Sequence, residues 1–199
     1  MTTLYKVLDA AGSAFHGGNG SWHLPKGTRP GKWLSAVEGE IVLCSNGYHL
    51  IPADSLIEWL GPTLYEAEGR GDQQTDSTKI AFREARLIRR LEHWNHRNAR
   101  LFAADCAARS LNRWREDYQA KRLRQDVDPR SHAAVVVARQ LALGEVDEAA
   151  WSAARSAAWS AAARSAAAAE RTWQNARLWM YLRGENPEPI PLPEMEGTR

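Results

Sequence analysis

The 199-residue chain has only two cysteines, Cys44 and Cys106. That number is too small for a disulfide scaffold and leaves a reducing compartment as the expected setting. It has no run of ~18 apolar residues, so no transmembrane helix is expected. The stretch Met1–Ala10 lacks a basic region leading into an apolar one, so no secretory signal is expected there. Together these features predict a cytoplasmic protein without a membrane partner. No CxxC, HExxH or GxxxxGK[ST] run is present either. The usual sequence signatures of zinc, metalloprotease and nucleotide-phosphate sites are therefore missing. The formal net charge is only +2, which by itself speaks against a strongly basic nucleic-acid binder.

The residues that are present divide the chain. Hydrophobic residues make up 44% and charged residues 25%, close to globular averages. Residues 1–77 hold 5 basic and 9 acidic groups, net −4. Residues 78–183 hold 20 and 11, net +9, and residues 184–199 hold 1 and 4, net −3. Near-neutrality thus conceals an acidic, a basic and an acidic block. Length and pattern predict an α+β protein in three parts: a small β-rich domain over 1–92, an all-α, Ala-rich helical domain over 93–183, and an extended tail over 184–199. Four prolines between Pro187 and Pro193 exclude helix and central strand from that tail.

In the first part, Thr3–Leu8, Glu40–Cys44 and Thr63–Glu68 are strand candidates. Gly12, Gly17, Gly18 and Gly20 predict a flexible loop. Ser45-Asn46-Gly47 predicts a turn, and Gly69-Arg70-Gly71 the end of the third strand. Pro52 to Leu60 predicts a short helix with Asp54 as its N-cap, stopped by Gly61-Pro62. Thr78–Leu91 alternates like a strand at Ile80 and Phe82 and like a helix at Leu87, Ile88 and Leu91, which periodicity alone does not decide.

In the second part, Asn95–Arg124 lacks Pro and Gly. It places Leu101, Phe102, Asp105, Cys106, Arg109 and Arg113 at helical spacing. Asp128-Pro129 interrupts, Ser131–Leu143 resumes as helix, and Gly144 is a C-cap. Residues 149–169 contain 13 alanines in a four-residue Ala-Ala-X-Ser repeat. At about 100° per residue such a repeat drifts ~40° per unit, so Trp151, Arg155 and Trp159 become neighbours on one helical face.

Two resemblances bear on function. Tyr5-Lys6-Val7, the Cys44-Ser45-Asn46-Gly47-Tyr48-His49 turn, the Pro52–Leu60 helix and Leu64-Tyr65-Glu66-Ala67-Glu68 resemble a family of short domains of unknown function found in phage and prophage proteins. That family implies a strand over Lys79–Leu91. Phe102-Ala103-Ala104-Asp105-Cys106-Ala107-Ala108-Arg109, Leu141-Ala142-Leu143-Gly144-Glu145 and the Ala/Trp/Arg repeats resemble a helical family of immunity proteins from bacterial toxin systems. That resemblance implies a non-enzymatic binder.

The leading expectation is therefore a non-enzymatic protein-binding or inhibitory accessory protein. It would be phage- or prophage-encoded, act on a host or defence component in the host cytoplasm, and need no cofactor. Trp94, Arg97, Arg113, Trp114, Arg115, Arg122, Trp151, Arg155 and Trp159 are its candidate binding residues, because Trp and Arg are the usual interface anchors. The alternative is an enzyme similar to ADP-ribosyltransferases, using NAD. Its aromatic platform and ribose-orienting carboxylate would come from Tyr48, His49, Tyr65, Glu66 and Glu68. A further alternative is a nucleic-acid-binding or self-assembling structural phage protein. Arg83, Arg86, Arg89, Arg90, Arg97, Arg100, Arg113, Arg115, Lys121, Arg122 and Arg124 would then track phosphates and Trp94 or Trp114 stack bases, and close-packing Ala-rich helices would support a homo-oligomer. No metal site is expected from His16, His23, His49 and Cys44 or from the His93/His96 pair. Cys106, beside Asp105, is expected to be structural.

Overall fold

A computed structural model describes residues 3–18, 20–146 and 168–194. The chain divides into two compact units, Met1–Asn95 and His96–Arg199. Strands and helices together make it an α+β protein.

In the first unit, β1 (Leu4–Leu8), β2 (Tyr48–Pro52), β3 (Thr63–Thr75) and β4 (Ile80–Arg90) form an antiparallel sheet. It closes on itself in the order β1-β2-β4-β3. Leu4, Leu8, Trp22, Leu50, Tyr65, Ala67, Phe82 and Leu87 fill its interior. Thr78–Leu91 is therefore resolved as strand over Ile80–Arg90: Ile80, Phe82 and Leu87 face inward, the strand pairs with β2 and β3, and the N–H groups of Gly31, Leu34 and Val37 take the carbonyls of Leu87, Ala85 and Arg83.

Three local expectations are corrected. Glu40–Cys44 is not a strand. Asn46 Nδ2 donates to the carbonyls of Glu38 and Glu40 at 2.8 Å each, and Arg83 takes those of Val37 and Gly39. Within 40–44, Val42 is bonded back to Asn46 in both directions, which closes a local turn in place of a ladder, and the strand begins only at Tyr48. Pro52–Leu60 forms a 3-10 helix over Ala53–Trp59 whose N-cap is Pro52 and not Asp54, with no capping side chain. Gly69-Arg70-Gly71 does not end β3, which runs on to Thr75. The Phe82 ring lies flat on Gly69, where a Cβ would meet its Cγ at 2.2 Å. Gly71 (φ 79) serves the bulge between Arg70 and Gln73.

The glycine-rich loop is pinned. Asp9 Oδ1 accepts from the backbone N–H groups of Ala11 and Ser13, Ala14 N–H donates to Gly20 and Trp22 N–H to Gly12. Such a loop does not behave as a free linker.

In the second unit, α1 (His96–Gln119), α2 (Pro129–Leu143) and α3 (Ala168–Leu182) are described. Ala104, Ala107 and Ala108 of α1 pack against Val135 and Ala138 of α2, with Leu111 and Val127 completing the cluster. α2 starts where Asp128 accepts from Arg130 N–H, has Pro129 in its first turn, and ends at Gly144 (φ 78). Glu170 of α3 is fully buried and ion-paired to Arg109 and Arg113 of α1, each at 3.0 Å. Residues 184–194 form neither helix nor strand. Trp151, Arg155 and Trp159 lie outside the described residues.

Candidate functional site

Strand alternation decides where the five residues of the enzymatic alternative fall. Tyr65 points into the barrel and is 4% exposed. Tyr48 also packs on the core, and its hydroxyl donates to the Ser35 carbonyl at 2.9 Å. Glu66 and Glu68 flank Ala67, which faces the core with Tyr65, and so project to the opposite face. Glu66 is held by Arg89 and Glu68 by Arg86, both across the β3–β4 ladder. His49 lies on β2, which is not hydrogen-bonded to β3. The five side chains do not converge on one cleft, and both carboxylates are neutralised in place.

The basic residues of β4 are equally committed. Arg83 pairs with Asp72, Arg86 with Glu68, Arg89 with Glu66, and Arg90 with Glu92. The charge boundary at residue 77 therefore falls between β3 and β4, which neutralise each other strand against strand. Counted over Met1–Asn95 there are 10 basic and 11 acidic residues, and over His96–Arg199 16 and 13. The block charges of −4 and +9 become −1 and +3.

Most of the expected binding anchors are structural. Trp94 is 3% exposed and donates from Nε1 to the Gly61 carbonyl at 2.8 Å. Trp114 donates to Gln125 O and packs on the α1–α2 core. Arg113 holds Glu170, Arg115 holds Asp126, Arg122 holds Asp117, and Arg97 reaches Asn98 and Asn186. Trp94 and Arg115 are both buried, and each packs within its own unit. Cys106 is half-buried inside α1, and burial, then Asp105 and Glu170, push its thiol up to about 12.

The barrel unit instead brings together residues from separate parts of its sequence. Phe15, 46% exposed, meets His16 edge-on with ring centroids 4.9 Å apart. His16 meets Trp59 edge-on at 5.4 Å. The Trp59 carbonyl can only accept, so His16 Nε2 carries the proton in their 2.7 Å bond. Lys79 Nζ lies 4.9 Å from the Trp59 ring and 3.0 Å from Asp76. It also contacts the exposed thiol of Cys44, and its pKa is raised, mainly by Asp76. Cys44 sits at φ 63, a left-handed conformation uncommon for a side-chain-bearing residue. Its N–H donates to His49 Nε2 at 2.9 Å, which requires that nitrogen to be unprotonated. Burial, then Lys6 and Lys79, lower the His49 pKa in agreement. Lys6 closes the row: it points inward from β1, donates to the His49 carbonyl at 3.1 Å and lies 4.9 Å from the Trp22 ring.

Phe15 can take its exposed position because Gly61 lies beneath it. A Cβ on Gly61 would come within 2.7 Å of the Phe15 ring. The sequence held one signal for this cluster, the Cys44–His49 turn. Phe15, Trp59, Asp76 and Lys79 carried none, because only barrel closure makes them neighbours. Among the described residues no group of three or more His, Cys, Asp or Glu side chains is placed to hold a metal ion, and no helix is long and apolar enough to cross a membrane.

No family model, curated protein or solved structure matches this chain.

Proposed function

We propose that the chain is a non-enzymatic protein-binding or inhibitory accessory protein, phage- or prophage-encoded, that acts on a host or defence component. The observation that carries this reading is Phe15. Its aromatic ring is exposed, yet seated on Gly61 and braced against His16, which in turn meets Trp59. A large apolar side chain held in one place before contact loses little entropy on binding, which is what an interface anchor requires. Leu24 and Val42, 39% and 41% exposed, add apolar surface on the loops of the same unit. The resemblance of α1 and the Ala-rich repeats to immunity proteins supports the same class.

Neither alternative has comparable support. The NAD-dependent reading needs an available carboxylate beside an aromatic platform, and Glu66 and Glu68 are ion-paired on the face opposite Tyr65. The nucleic-acid reading needs unpaired cations, and six of its basic residues, Arg83, Arg86, Arg89, Arg113, Arg115 and Arg122, are matched by acids.

The test is affinity capture from a bacterial host lysate with the tagged chain and its Phe15→Asp variant side by side. A partner retained by the first and reduced at least tenfold on the second is expected. Recovery of the chain alone, or equal capture by both, refutes the reading.

A further inference from the structure

The proline-rich segment is bound along the helical unit. After α3 the chain turns through Gly184 (φ 74) and Asn186 (φ 46). From Pro187 to Pro193 every second residue is proline. Proline presets φ and removes a donor, so this strip is extended at little entropic cost. Only Glu188, Ile190 and Leu192 between those prolines keep an N–H.

Side chains from all three helices engage the strip's backbone. Asp105 of α1, 1% exposed, accepts the Ile190 N–H at 3.1 Å. Arg139 of α2 donates to the Ile190 carbonyl, and Arg177 of α3 to that of Glu188. Asn112 of α1 donates to the Pro191 carbonyl at 2.7 Å. Ile190 and Leu192 pack their side chains on the apolar cluster between α1 and α2. The arrangement combines backbone recognition with insertion of alternate apolar residues, as in grooves that bind polyproline-type peptides. None of these contacts depends on the strip being covalently joined to α3.

We propose that this groove is a peptide-docking site, and that it accepts the proline-alternating segment of a second copy of the chain in exchange for its own. The tail is the one peptide whose fit is displayed. Glu185, Glu188 and Glu194 make it acidic, while Arg139 and Arg177 line the groove. The left-handed residues Gly184 and Asn186 are where the chain redirects, so different torsions there would send the strip to a neighbour while α3 and the groove stay unchanged. A short tether holds the intramolecular tail at millimolar effective concentration. Exchange therefore becomes dominant only when a chain's own tail is released. The proposal concerns the helical unit and stands apart from the Phe15 surface.

The experiment mixes two full-length variants. In Ile190→Asp/Leu192→Asp the tail is released and the groove stays open. In Arg139→Glu the groove is damaged and an intact tail is freed. Light scattering is expected to report monomers for each alone and a one-to-one complex for the mixture. A mixture that stays monomeric while both variants keep native circular dichroism overturns the proposal.

If either variant fails to fold, the wild-type chain is given a protease site after Arg183, folded, and then cut. The cut tail should exchange with an added labelled peptide spanning residues 184–194, and tenfold less with the peptide carrying both Asp substitutions. Failure to take up the labelled peptide, or equal uptake of both peptides, overturns the proposal.

Discussion

Asp105→Asn tests how the helical unit is held together. Asp105 is 1% exposed. Its Oδ2 accepts from Arg177 Nε at 3.0 Å, from the other Arg177 nitrogen at 2.6 Å and from the Tyr181 hydroxyl at 2.6 Å. Oδ1 accepts from Arg139 at 3.2 Å and from the Ile190 N–H at 3.1 Å. One carboxylate thus ties α1 to α2, α3 and the proline strip. Asparagine keeps the shape, removes the charge and sets an NH₂ group against donors. The two guanidiniums lose their buried counter-charge, which typically costs about 3–5 kcal/mol. A domain of this size has ~5–15 kcal/mol in total. At ~4–8 °C per kcal/mol the melting midpoint should fall by roughly 15 °C or more. A thermal scan at 222 nm measures the midpoint, and urea unfolding at the same wavelength measures the free-energy cost. Tyr181→Phe alone should cost ~1–2 kcal/mol, and far less in the Asp105→Asn background because the two changes remove one shared bond. A cost below ~1 kcal/mol for Asp105→Asn, against the several expected for a broken buried pair, would refute the assignment of Asp105 as the link among these elements.

Two further outcomes follow from the buried titratable groups. Burial lowers the Lys6 ammonium from 10.5 to about 8. The unfolded chain therefore binds more protons between those values, and stability rises with pH across that window. Below pH 8 the burial cost is present in full, ~3 kcal/mol at 1.36 kcal/mol per tenfold change. The contacts with the His49 carbonyl and the Trp22 ring are already part of that net value. Lys6→Met should therefore be more favourable at pH 7 than above about pH 10.5, by ~3 kcal/mol. Urea midpoints at the two pH values decide, and a pH-independent difference contradicts the burial account. Cys106, pushed up to about 12, should resist iodoacetamide at pH 8 in the folded chain, whereas exposed Cys44 is alkylated. Peptide mass mapping distinguishes them, and equal modification of both in the folded state would show that Cys106 is not shielded.

Much of the helical unit was legible because its signals are local. Asp128-Pro129 starts α2 and Gly144 ends it through bonds that span only a few residues. The spacing of Phe102, Asp105 and Arg109 likewise announced α1. The barrel was less legible because its strands are completed by distant partners. Glu40–Cys44 has strand-like residues, but Asn46 Nδ2 takes the Glu40 carbonyl and Val42 is bonded back to Asn46 in a turn. Gly69 looks like a terminator, but it is the surface on which Phe82 lies. The candidate site was legible only at Cys44 and His49, because Phe15, Trp59 and Lys79 meet through barrel closure.

By itself the sequence determined the α+β class, the helix boundaries around Pro129 and Gly144, and the extended form of the proline strip. Each depends on backbone preferences within a few residues. Tertiary structure alone decided what the charges are for. A chain divided into acidic and basic blocks suggested a basic face, yet Glu66–Arg89 and Glu68–Arg86 cancel across one ladder, and Asp105 and Glu170 collect arginines inside the helical unit. Charge is counted along the sequence, but its energy depends on distance in space, which only the fold sets.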